Sequence, residues 1–228
     1  MKHIKYIFFI IFFIYGCESD KNAYEIIKRT KTVSKDNCQL QISFPQIEGL
    51  QDVEKMAELN KVLEKFPEHE YYAKDCEQKK IKRDEVSGDY RILLKNDSIL
   101  SIEFQTLIQR ENLKTDTIYH SVVVNPKQSY KSKIGIVGIE PKQILPDFKR
   151  GMIYPYIKKY SIENNKHVNL LAYETNSNYV ITWAISEKDF IVYVGGEGEW
   201  YGKNKIKIPL KKLTEKTTAN SHYNGFGQ

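Results

Sequence analysis

YRILLKNDSILSIEF, residues 90–104, is the stretch whose reading decides the fold. Two apolar runs, Tyr90–Leu94 and Ile99–Phe104, flank Asn96-Asp97. Asparagine and aspartate tolerate the backbone of a tight turn, so the stretch predicts two antiparallel strands joined as a hairpin. Downstream, Thr117–Val124 reads as a third strand ended by Asn125-Pro126, and Ile134–Ile139 as a fourth. Pro146 and Pro155 forbid one long helix across Pro141–Tyr160, so short helices are expected there, with Pro155 near the start of the second. Tyr179–Ile185, Phe190–Val194 and Lys205–Ile208 complete the strands, and the tail after Leu213 looks loose.

Upstream, Tyr24–Val33 is strand-compatible, Ser34–Asn37 reads as a turn, and Cys38–Phe44 alternates apolar and polar residues. Asp52 is placed to cap a helix whose apolar positions are Val53, Met56, Leu59, Leu63 and Phe66, with Pro67 as its stop. Their spacing traces one stripe of an α-helix. Residues 68–86 are highly charged and carry no clear period. The expectation is an α+β domain over residues 24–213. Its sheet is mainly antiparallel, with one amphipathic helix packed on a face through Leu59, Leu63 and Phe66 and short helices between the later strands.

The N-terminus fixes an address. Lys2, His3 and Lys5 precede an unbroken apolar run, Tyr6–Tyr15. Such a run is too short for a membrane span, which takes about 20 residues, and suits the h-region of a secretory signal. Ile14-Tyr15-Gly16-Cys17 resembles the lipobox of bacterial lipoproteins, with Tyr15 bulkier than the residue usual at its position. That resemblance implies a signal peptide over residues 1–16, a lipidated Cys17 and a tether over residues 17–23. It places the protein in the cell envelope, anchored by lipid to the membrane (the outer membrane), facing the periplasm or the exterior. The alternative is an ordinary signal peptide in which the cysteine is accidental. With Cys17 assigned to the anchor, Cys38 and Cys76 remain as an even pair in an oxidising compartment. A bridge between them would stabilise by about 4 kcal/mol; the alternative is two buried free thiols. Loss of Lys2 and Lys5 leaves 33 basic against 29 acidic residues, a net charge of +4. The charges are interspersed, without a basic block or an aromatic–basic ladder, which argues against nucleic acid as a partner.

The order of elements then suggests a family. Ile42-Ser43-Phe44-Pro45-Gln46-Ile47-Glu48-Gly49-Leu50, followed by a helix containing Leu59-Asn60, resembles the start of the RsiV-like extracytoplasmic domain. Ser98–Phe104 is similar to its paired central strand, and Asp189–Val194 with Ile206–Leu210 to its closing hairpin. The resemblance covers most of residues 24–213. It implies a binding domain: members sit on anti-sigma factors that sense lysozyme, in front of peptidoglycan deacetylase domains, or in lipoproteins. This sequence departs from the pattern before Ser121, where Leu113–His120 replaces a Gly-Ala-His-Gly-like turn, and in its last loop, where lysozyme-recognising members carry a Pro/Tyr-bearing segment. The resemblance therefore does not carry a ligand over.

That last loop, Gly195-Gly196-Glu197-Gly198-Glu199-Trp200-Tyr201-Gly202, is the most unusual stretch after the signal. Its glycines permit close approach of a partner. Glu197 and Glu199 stand beside Trp200 and Tyr201, residue types that dominate interface hot spots. A sugar would stack on the indole and bond to the carboxylates, and a basic protein such as lysozyme would be drawn by the same charges. The alternative is a hairpin turn whose glycines serve geometry and whose tryptophan packs on the sheet edge. His69, His120, His167 and His222 are scattered without the helical spacing of a zinc site, so no metal is expected. No nucleophile elbow, P-loop or dinucleotide fingerprint occurs, and no cofactor is expected. Tyr154, Tyr156 and Tyr160 around Pro155 either line a groove or pack the short helices. The leading expectation is a non-catalytic, lipid-anchored binding module for peptidoglycan fragments or lysozyme. The competitors are an envelope hydrolase using carboxylates that only the fold assembles, and a structural subunit of an outer-membrane complex.

Overall fold

The computed structural model describes residues 24–35, 38–65, 84–110, 115–127, 138–165, 182–195 and 202–214. The chain is α+β. Five strands, β1 (Glu25–Lys35), β2 (Cys38–Glu48), β3 (Asp84–Lys95), β4 (Leu100–Arg110) and β5 (Asp116–Val124), form one sheet in sequence order. A second sheet holds β6 (Thr182–Ile185), β7 (Asp189–Val194) and β8 (Asn204–Pro209). Neighbours pair antiparallel except β2 and β3, which run parallel from Cys38↔Asp84 to Ile42↔Gly88. A parallel pair needs a crossover connection, and this one contains the helix α1 (Val53–Lys65).

The expected hairpin forms at β3–β4. The Asn96 carboxamide oxygen accepts from the backbone N–H groups of Ser98 (2.9 Å) and Ile99 (2.8 Å), closing an Asx turn. Asp52 caps α1, its carboxylate accepting from Lys55 N–H at 3.0 Å. Leu59 and Leu63 are buried against Leu100, Ile102, Phe104, Val122 and Val124 of the sheet. Asn60 turns its amide to β2, accepting from Ile47 N–H at 2.7 Å and donating to Ile47 O at 2.9 Å. Val53 departs from the expected stripe: as the first residue of α1 it is 67% exposed, and the buried contacts are made further along at Leu59 and Leu63. Phe66 lies outside the described residues, as do residues 134–137 of the expected fourth strand; Gly138 and Ile139 are not in a strand.

The three-stranded sheet packs on the opposite face of the first. Ala184, Ile191 and Tyr193 meet Leu93 and Tyr119. The alternate residues Phe190, Val192 and Val194 pack with Phe148, Ile153 and Ile157 of the short-helix segment. Every residue from Phe190 to Val194 is thus buried, and a strand covered on both faces reads as a continuous apolar run. The short helices are α2 (Pro141–Ile144), a 3-10 turn (Arg150–Met152) and α3 (Tyr154–Glu163), with Pro155 in the first turn of α3. After β8, Leu210–Thr214 forms a last short helix, α4, which Leu213 holds to the core; from residue 215 on, the tail expected to be loose lies outside the described residues.

Candidate functional site

Glu197, Glu199, Trp200 and Tyr201 lie outside the described residues, as do Cys17 and Cys76. Both stems of the loop that carries them are described. Val194 O accepts from Lys203 N–H at 3.1 Å. Gly202 makes an isolated antiparallel bridge to Tyr119 of the first sheet, with Tyr119 N–H to Gly202 O at 2.8 Å and Gly202 N–H to Tyr119 O at 3.2 Å. A methyl group at Gly202 would sit 3.0 Å from the Tyr193 backbone and closer still to its Cβ. Glycine is needed here for close approach, not for turn conformation.

Beneath this bridge lies a buried polar node. Glu103 on β4, 4% exposed, is bonded by the Tyr193 hydroxyl of β7, the Lys205 ammonium of β8 and the Arg91 guanidinium of β3. One carboxylate therefore ties both sheets together. Burial would raise its pKa, but the hydrogen bonds from Lys205 and Tyr193 and the charges of Lys205 and Arg91 outweigh that and hold it below its ordinary value. The Tyr193 hydroxyl is pushed strongly up by burial and then by its bond to the Glu103 carboxylate. An ionised acceptor facing three donors has no proton to exchange near neutrality, so the node's chemistry is positioning. The Tyr119 and Tyr193 rings stack at 5.8 Å, and Lys205 Nζ lies 5.9 Å from the Tyr119 ring centre. Two buried hydroxyls stitch β6 to the same face: Ser121 Oγ donates to Trp183 O at 2.7 Å, and Ile185 N–H donates to Ser101 Oγ at 3.0 Å.

The loop leaves from the end of the three-stranded sheet remote from Tyr24, the first described residue, and midway along β4 of the five-stranded sheet. Tyr24 is buried beside the β3–β4 turn, its hydroxyl donating to Asn96 O at 3.2 Å and its carbonyl accepting from Lys95 Nζ at 2.7 Å. Burial, with the charge of Asp97 adding to it, pushes the Tyr24 hydroxyl up to about 12. Tyr119, which holds the loop stem, pairs with Gln105. Gln105 is five residues along β4 from Leu100, or about 17 Å. A shallow recess of about 150 Å³ opens at the Tyr24 end, lined among others by Leu50, Asp52, Lys55, Asp97 and Lys127. Its charges are matched, Lys55 to Asp52 at 3.2 Å and Lys127 to Asp97 at 3.3 Å.

The remaining sequence candidates fall elsewhere. Cys38 opens β2, opposite Lys35 and Asp84. His120 is buried in β5, and burial lowers its pKa to about 4; the other three histidines past the signal lie outside the described residues. Among the described residues no three of His, Cys, Asp and Glu come together as metal ligands. Tyr156 and Tyr160 pack on the core, and the Tyr160 hydroxyl donates to Asn204 Oδ1 at 3.2 Å, so these two serve packing.

No protein-family model and no curated protein matches the chain. Among solved structures it is similar to a DUF3298 family member from Bacteroides fragilis NCTC 9343, at 12% identity and a TM-score of 0.48, over 85% of this chain and 92% of that one. It is also similar to a DUF3298 family protein from Pseudomonas aeruginosa PAO1, at 9% identity and a TM-score of 0.47, over 84% of this chain and 92% of that one.

Proposed function

We propose that this chain is a lipid-anchored, non-catalytic binding module of the bacterial envelope, with an RsiV-like extracytoplasmic domain. Its ligand is a cell-wall glycan or a wall-acting protein such as lysozyme, and the β7–β8 loop meets it. The observation that carries this reading is the loop's pedestal: the Gly202–Tyr119 bridge and the Glu103 node fix its stems. Fixed stems reduce the ordering cost of binding. Between those stems the sequence holds an indole, a phenol and two carboxylates, residue types suited to a binding hot spot.

The proposed anchor agrees with that direction. A tether over residues 17–23 reaches about 24 Å at full extension, and it joins the domain at Tyr24, about 17 Å along the sheet from the loop stems. Lipid on Cys17 would hold the Tyr24 end nearest the membrane, with the loop stems farther from it. A Cys38–Cys76 bridge belongs to the same reading. The oxidising address supports it.

The test is a calorimetric titration of soluble residues 18–228 with a c-type lysozyme, beside one with soluble peptidoglycan fragments. Binding of either supports the module, and which one binds assigns it as a lysozyme-binding or a wall-binding lipoprotein. Silence in both rejects the proposal.

A further inference from the structure

We infer that the open half of the five-stranded sheet is a second docking surface, shaped for a neutral, N-acetylated glycan strand. The three-stranded sheet covers the face of the first sheet that carries Ser101 and Glu103, and among the described residues its last contact along that face is the bridge to Tyr119. Past that line the strand register sets two further rows on this face. Thr32, Gln41, Ser87, Leu107 and Thr117 form one, and Ser34, Gln39, Glu85 and Gln109 the next. All are exposed except Thr117, which is half-buried.

The amides of Gln39, Gln41, Gln105 and Gln109 make no hydrogen bond with any described residue. Each offers two donors and an acceptor, paired along β2 and along β4, strands that stand about 10 Å apart across β3. Acetamido and hydroxyl groups of a sugar chain match that lattice, since both donate and accept. Leu107, 37% exposed in the middle of its row, supplies an apolar spot for a sugar's C–H face or an acetamido methyl. Formal charges cancel on the exposed face: Arg91 and Lys28 stand against Glu85 and Asp89, with Lys28 bonded to Asp89 at 2.8 Å. That balance disfavours a polyanion or a strongly basic protein and suits an uncharged polar chain.

This inference rests on the proposed envelope role only for the source of its ligand. The probe is the β-1,4-linked hexamer of N-acetylglucosamine, titrated against the full chain in detergent. Gln41→Glu with Gln105→Glu keeps size and exposure while replacing donors by charge, and is expected to weaken binding by about tenfold or more. Gln41→Asn with Gln105→Asn, which keeps the amides, is expected to retain more of the affinity. Failure of the unaltered chain to bind the hexamer, or undiminished binding by the glutamate variant, overturns the inference. Loss of hexamer binding in Trp200→Ala with the glutamate variant unaffected also overturns it, in favour of the loop. A lysozyme titration of the glutamate variant keeps the loop reading separate, because that contact does not use these amides.

Discussion

Replacing Glu103 by glutamine leaves the shape of β4 intact and removes the one negative charge on which three donors converge. The Lys205 ammonium, 17% exposed, is then left without an anion, while Arg91, 60% exposed, turns to water. Breaking a buried ion pair from one side costs about 3–5 kcal/mol, and the exposure of Arg91 sets the low end, about 3 kcal/mol. With a urea m-value of about 3 kcal/mol/M, the midpoint falls by about 1 M. The loss also has a pH signature. The Glu103 pKa is lower in the folded chain than its ordinary 4.5, so its stabilisation is complete above that value. It is lost as pH falls through the folded pKa. The gap between the two proteins should be widest near neutrality and should narrow below about pH 4.5. Urea unfolding of residues 18–228, followed by tryptophan fluorescence at pH 7 and pH 4, reads both effects. A midpoint change under 0.3 M (about 1 kcal/mol), or a gap that widens in acid, would refute the node as the tie between the sheets. Arg91→Gln is the control and should cost less than about 1 kcal/mol, as an exposed pair does.

Other positions give independent checks. Gly202→Ala places a methyl against Tyr193 and should destabilise by about 1–3 kcal/mol; thermal unfolding reads it, and an unchanged Tm contradicts the close approach. Leu63→Ala in the α1 contact should cost about 2–5 kcal/mol, whereas Val53→Ala should stay within about 0.5 kcal/mol; similar losses at both would contradict the face assigned to α1. Burial lowers the His120 pKa to about 4 against an ordinary 6.5. Its contribution is therefore complete above 6.5 and drains away as pH falls toward 4. A His120→Gln variant should show a flatter stability profile between those values, and an identical slope would count against the buried neutral imidazole.

Local signals were legible where one short stretch decides its own geometry. Asn96 makes its turn by bonding residues two and three further on, and Asp52 caps α1 by bonding Lys55. Phe190–Val194 declared itself because both its faces are buried. What the sequence hid depends on distant partners. Glu103 follows Ile102 and precedes Phe104, so it reads as the solvent side of a half-buried strand. Its actual partners, Tyr193 and Lys205, come from the second sheet, and nothing near residue 103 encodes them. Division into two sheets, and the parallel β2–β3 pair, are likewise products of packing across long connections. Val53 shows that helical spacing fixes a stripe but not how many of its residues the fold covers. The four amides of the open sheet face lie on two strands far apart in the sequence, and only the register brings them onto one surface.

The most direct test of the account is to titrate Glu197→Gln with Trp200→Ala against the ligand that binds the unaltered chain, lysozyme or peptidoglycan fragment. With the pedestal untouched, stability should match the parent while affinity falls by about tenfold or more, as loss of a tryptophan hot spot requires. Unchanged affinity would contradict the β7–β8 loop as the binding element.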